Sequence, residues 1–327
     1  MTYHKDYLRD MDKYPIGPKD TGEDVNPQPG KCNFFEHRYK QTDQGKKYGE
    51  AYPIYILQHN TVGSFQSVVQ AFTRGPTPLS SHYVIDKDGK IYYFVANQFR
   101  AYHAGKGCLA GKSCLADLPM NGDMNSWSIG IENVNSGNEP YTDDQIRANL
   151  KVCQDLVQDF STIEPMKMLG HSDWSPGRKI DPNPYFPWDR FANAQDDPMF
   201  QDLSLTKNFG VFPRKADMDL SKHPKVIIPY GKEDAKLSDH GSEIQSKLRK
   251  YGYGSITEAD QGFYTDATRN AILSFQLHFC GSEILADSTL KEAWERTYRG
   301  GYSPVLHQFD ENHEKFLNDI LDQFGKH

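Results

Sequence analysis

AYPIYILQHN, residues 51–60, sets a β-branched and aromatic run, Tyr52 to Leu57, immediately ahead of His59 and Asn60. A short apolar run of this kind suits a buried strand. Its polar tip is His59, so the segment predicts a strand that ends by presenting an imidazole.

The segments that follow alternate helix and strand. SFQSVVQAFTRG (64–75) opens at Ser64, places Val68, Val69 and Phe72 at helical spacing, and stops at Gly75 and Pro76. SHYVIDKDGKIYYFV (81–95) is two alternating runs about a Lys-Asp-Gly turn, a hairpin signature. SWSIGIENV (126–134) reads as another strand, and residues 142–162 as a long amphipathic helix capped at Thr142, with Ile146, Leu150, Cys153 and Val157 on one face. MKML (166–169) is a short strand leading into GHSDWSPGRKIDPNPYFPW (170–188), a stiff loop with four prolines and many ionisable groups. The fold class predicted is α/β, a mixed central β-sheet flanked by helices.

A chain of 327 residues exceeds the usual single-domain size, and two domains are expected. Residues 1–49 are polar and read as an N-terminal arm, 50–199 as the α/β domain, and 200–236 as a linker without periodicity. Residues 237–303 hold three helical patterns, SEIQSKLRKYGY, TDATRNAILSFQLHF and DSTLKEAWERTY, and 304–327 form a helical tail. Gly252 and Gly281 stand where helices should end. The second domain is therefore a small three-helix one.

Composition excludes several roles. The net charge of −7 is spread along the chain with no basic stripe, which argues against nucleic acid as a partner. No apolar run reaches membrane-spanning length and no secretory apolar core opens the chain, so either it is cytoplasmic or a signal has been removed. Five cysteines are an odd number; Cys108 and Cys114, six apart in GKGCLAGKSCLA, are either a loop-closing disulfide or two reduced thiols.

Three candidate metal ligands stand at strand ends and on the proline-rich loop: His59, His171 and Asp181. Two imidazoles and a carboxylate, with a fourth position for water, are what a catalytic zinc needs. Glu132, in the largely apolar SIGIENV, is either a base near that metal or a strand residue facing away from Ile129 and Ile131. Lys179, two residues before Asp181, would project to the same side and stabilise an oxyanion. His103 and Arg178 are candidate contacts for an acidic substrate group.

These pieces resemble the type 2 zinc-dependent N-acetylmuramoyl-L-alanine amidases, a superfamily that includes the phage T7 lysozyme and the peptidoglycan recognition proteins. The matching stretches are LQHNT, SSHYVIDKDGKIYYFV, AYHAGKG, SIGIENVNSG and GHSDWSPGRKIDPNPYFPW, in the family's order over about Tyr52 to Phe191. The resemblance implies one Zn2+ per chain on His59, His171 and Asp181, Glu132 as general base, and Lys179 as the residue that stabilises the transition state. Asp as third ligand is the habit of the bacterial AmpD- and AmiD-like enzymes. The phage enzyme's catalytic Tyr is replaced by Ser81, next to His82, which joins His103 and Arg178 as an expected substrate contact.

The small helical domain, residues 237–303, resembles a peptidoglycan-binding domain, with its usual turn altered to DQGFYTD. The resemblance implies hydrolysis of the bond between N-acetylmuramic acid and L-alanine, peptidoglycan or muropeptides as partner, a monomer, and a place in the periplasm or at the outer membrane. The alternatives are a non-catalytic peptidoglycan recognition module and a zinc peptidase acting on the stem peptide.

Overall fold

The computed structural model describes residues 53–325 except 75–78, 96, 98, 118–119 and 123, together with the strand residues Glu36–His37. The rest of the expected N-terminal arm lies outside them. The chain divides into two compact units, one of Met1–Gly105, Asp123–Leu169 and Asn193–Phe209, the other of Lys106–Gly122, Gly170–Ala192 and Gly210–His327.

The first unit is built on the expected mixed sheet. Strand β1 is Tyr55–Asn60, buried at every position. Helix α1 is Phe65–Arg74, β2 is Tyr83–Ile85, β3 is Ile91–Tyr93 and β4 is Ser128–Asn133. Helix α2 is Asp143–Asp159 and β5 is Met168–Gly170. The strand order is β3-β2-β4-β1-β5. β4 runs parallel to both β1 and β2, while β2 and β3 form the antiparallel hairpin. The hairpin turn closes through Asp86 and Gly89, whose φ of +78° suits glycine; a Cβ there would also come within 2.8 Å of the Asp144 carbonyl.

Helix α1 buries Val68, Val69 and Phe72, as its spacing predicts, together with Phe65, against Val84, Tyr92 and Phe94. Phe65 stacks on Tyr92 with ring centroids 4.1 Å apart. Helix α2 begins with a capping box in which Thr142 and Gln145 satisfy each other's backbone N–H groups, worth about 1 kcal/mol. Its buried face includes Ile146, Leu150 and Cys153; Val157 is only half-buried, and Val152 and Leu156 complete the apolar stripe.

The second unit carries most of the remaining helices. Helix α3 is the single turn His171–Trp174, α4 is Asp239–Tyr251, α5 is Asp266–Phe279, α6 is Gly281–Ala286, α7 is Ser288–Tyr298 and α8 is Glu311–Phe324. The three helical patterns are α4, α5 and α7. Gly281 does more than end α5: it opens α6, and a Cβ at this position would sit 2.3 Å from the Pro184 carbonyl. Within the aperiodic stretch before α4, Val226–Ile228 pairs antiparallel with Phe309–Asp310, which precedes α8.

Cys114 is a free thiol, so no disulfide joins it to Cys108. Cys153 and Cys280 are free and fully buried, and burial pushes both thiols well up. Among the described residues no helix is long and apolar enough to cross a membrane.

Candidate active site

In the parallel register of β1 and β4, His59 stands opposite Glu132, and Glu132 stands opposite Val84 of β2. Residues paired in this way project to the same face of the sheet, and Gly130 and Ser128 share it, two and four positions back along β4. Glu132 is half-buried and His59 is buried. The register therefore resolves the two readings of Glu132: it shares the face of His59, and Ile129 and Ile131 take the other.

A chain of hydrogen bonds fixes the tautomer of His59. Ser128 Oγ donates to the Met124 carbonyl (2.7 Å), so it is an acceptor toward His103 Nε2, 3.4 Å away. That makes Nδ1 of His103 the unprotonated nitrogen, and it accepts from His59 Nε2–H at 2.9 Å. His59 then keeps the lone pair on Nδ1, the form in which an imidazole binds metal. The backbone N–H groups of His103 and Ala104 are both held by Asn125 Oδ1 (3.1 and 2.9 Å).

Gly130 makes room for this arrangement, because a Cβ there would lie 2.5 Å from Cγ of His103. Gly130→Ala is expected to push the His103 ring off His59 and lower zinc affinity about 10–100-fold while the protein stays folded, as zinc competition titration and circular dichroism would show. Parental affinity in a folded variant would remove His103 from this role.

The opposite face of the same strands carries a buried amide network. Gln58 Oε1 accepts from Asn149 (2.8 Å) and Asn133 (3.2 Å), Gln58 Nε2 donates back to Asn149 Oδ1 (3.0 Å), and Asn133 Nδ2 donates to the His59 carbonyl (3.0 Å). Each bond nets only about 0.5–1.5 kcal/mol, but together they tie α2 to β1 and β4 directly under His59. Sequence reading missed them, since apolar periodicity carries no signal for polar residues in a core.

His171 directly follows β5, which lies beside β1 in the sheet. Its Nδ1 is 3.1 Å from Asp181 Oδ2. Ser172 N–H donates to the Asp181 carbonyl at 2.8 Å, which draws the loop back so that residue 181 meets residue 171. The Asp181–Pro182 peptide is cis.

Arg178 donates from Nε and Nη2 to the Lys106 carbonyl (2.9 and 2.7 Å) and from Nη2 to Ser175 Oγ (2.6 Å). Its Nη2 also lies 3.2 Å from His171 Nε2. Nη2 has two hydrogens for three acceptors, so the longest contact, to the imidazole, is the weakest. Burial lowers the Arg178 pKa and the Asp181 charge opposes it. Lys179 is half-buried, with its N–H on the Ser175 carbonyl (3.1 Å).

His59, His171 and Asp181 each offer one ligand atom, and the three atoms lie within 4.8 Å of one another. Donors on a tetrahedral zinc are about 3.3 Å apart when the metal bonds are about 2.0–2.1 Å, and the His171–Asp181 separation of 3.1 Å is close to that. The donor set fits a zinc ion. His82, expected to touch substrate, is fully buried, and its Nδ1 accepts from the Gly130 N–H (3.0 Å). His103 is also buried, against His59.

Residues 49–184 match the family model for Amidase_2, N-acetylmuramoyl-L-alanine amidase. Over these residues the chain is similar to that family. The chain is 32% identical over 116 residues to the 1,6-anhydro-N-acetylmuramyl-L-alanine amidase AmpD of Haemophilus influenzae, covering 36% of this chain and 58% of that protein. The chain thus spans little more than half the length of that relative. Beyond the Amidase_2 segment, similarity extends to the N-acetylmuramoyl-L-alanine amidase AmiD of Escherichia coli, 27% identical over 271 residues, 76% of this chain and 84% of that one. The fold resembles that of E. coli AmiD solved with anhydro-N-acetylmuramic acid-L-Ala-D-gamma-Glu-L-Lys: TM-score 0.56 at 22% identity, covering 90% of this chain and 99% of the other.

Proposed function

We propose that the chain is a zinc-dependent N-acetylmuramoyl-L-alanine amidase of peptidoglycan turnover. The observation that carries this is the convergence of His59, His171 and Asp181 within the segment similar to Amidase_2, with Glu132 in register beside His59. Zinc bound there supplies Lewis-acid polarisation of the scissile carbonyl and makes water more acidic.

The chain's own groups do the rest. Glu132 takes the proton from the attacking water and delivers it to the nitrogen of the departing L-alanine, so that one water is consumed and a lactyl carboxylate and a free amine are formed. The Lys179 ammonium balances the oxyanion that develops on the carbonyl oxygen. Arg178 meets an acidic group of the substrate, and His103 orients His59.

Similarity to AmiD supports anhydro-muropeptides or peptidoglycan as substrate, and the place of action that goes with this reading is the periplasm or outer membrane. The helices from α4 to α7 are read as the peptidoglycan-binding part. The test is metal content with activity: the protein should carry zinc, lose release of stem peptide on chelation and regain it on adding zinc. Release that persists after the metal is stripped would sink the reading.

A further inference from the structure

Asp173, two residues beyond His171, is buried to 1% exposure. A carboxylate so deep is tolerated only where its oxygens are met by donors. Here three meet it. Oδ2 accepts from the Gly170 N–H (2.8 Å) and from His278 Nδ1 (2.7 Å), and Oδ1 accepts from the Tyr253 hydroxyl (3.0 Å).

Two of these donors belong to the helical part of the chain, 80 and 105 residues further on. The His278 ring is itself clamped, stacked on Trp188 at 3.7 Å and on Phe279 at 4.0 Å between centroids. One turn earlier on α5, Ser274 Oγ donates to the carbonyl of Ser172 (2.9 Å), the residue whose N–H holds Asp181. At the far end of the loop, Gly177 approaches so closely that a Cβ would lie 2.2 Å from Asn270 Nδ2 of α5.

The turn that carries His171, and the backbone bond that brings Asp181 back to it, are thus gripped along one face of α5 and by Tyr253, two residues past the end of α4. Helices retained only to tether a polymeric substrate would not need a buried histidine and a buried tyrosine both aimed at one carboxylate beside a metal ligand.

We propose that His278 and Tyr253 are positioning residues of the metal centre: through Asp173 they hold the His171 turn in its ligating geometry, so zinc affinity depends on the helical part of the chain. This rests on the reading of His171 and Asp181 as zinc ligands. Neither residue touches substrate or metal; each acts through Asp173.

The probe is zinc itself, titrated against a chromophoric chelator, on the full chain. Tyr253→Phe removes one hydroxyl and keeps the ring, and is expected to weaken zinc several-fold. His278→Ala is expected to weaken it about tenfold or more, and His278→Asn, whose side-chain amide can replace the Nδ1–H donor, to recover part of that loss. The unfolding midpoint of the zinc-free protein is measured alongside. A purely structural role predicts a lower midpoint with the zinc affinity of the folded protein unchanged, and that result overturns the proposal.

Should His278→Ala fail to fold, Tyr253→Phe decides alone: parental zinc affinity in that variant overturns the proposal too. A parent protein that binds zinc but releases no stem peptide leaves this comparison valid while refuting the amidase reading. A parent that binds no zinc refutes both.

Discussion

Glu132→Gln is expected to lower kcat on a muropeptide about 10²–10⁴-fold while zinc content stays at the parental level. The substitution keeps the size and hydrogen-bonding reach of the side chain and removes only its ability to take up a proton. The reason for so large an effect is positional. The register of β1 and β4 sets Glu132 directly beside His59 on one face of the sheet, where a proton lost by water near the metal has a carboxylate to receive it. Because Glu132 is not among the three clustered donors, the metal should be held as before. Steady-state kinetics with elemental analysis check both halves; near-parental turnover would remove Glu132 from catalysis.

Asp181→Ala gives the complementary pattern. Loss of the carboxylate 3.1 Å from His171 Nδ1 leaves two imidazoles, too few for a stable zinc site. Zinc affinity should fall by more than the 10–100-fold typical of losing a ligand's hydrogen-bond partner, and turnover should vanish with it. Fold should survive, because the Ser172–Asp181 link is a backbone bond and Asp173, not Asp181, is the carboxylate held by α5. Full zinc content in this variant would show that the third donor lies elsewhere.

The parts of this account that were legible in the sequence are those written in local pattern. The apolar run ending at His59, the hairpin about Lys87-Asp88-Gly89, the Thr142 cap and the loop bearing His171 and Asp181 all follow from neighbours in the chain. What depends on register or on distant partners was not legible. Whether Glu132 faces His59 is a question of how β4 slides along β1, which a shift of one residue would reverse. The route from His59 through His103 to Ser128 joins three separate segments, and its middle member was read as a substrate contact.

His82 was read in the same way; its burial and its bond to the Gly130 N–H tie it to the strand backbone. Asp173 stands on the proline-rich loop, and its partners lie 80 and 105 residues away, beyond the reach of local pattern. His278 and Tyr253 stand in stretches whose periodicity signals only helix, and nothing local marks them as belonging to a carboxylate so far back in the chain.

The central claim is that one particular amide bond is cut by a zinc-dependent centre. The most direct measurement is mass spectrometry of the products from a defined anhydro-muropeptide, with zinc-loaded and chelator-treated protein in parallel. The account predicts two products from the zinc-loaded enzyme only, an unsubstituted anhydro-muramic acid sugar and an intact stem peptide with a free L-alanine amino terminus. A shortened peptide still attached to the muramic acid, or the same products after chelation, would contradict it.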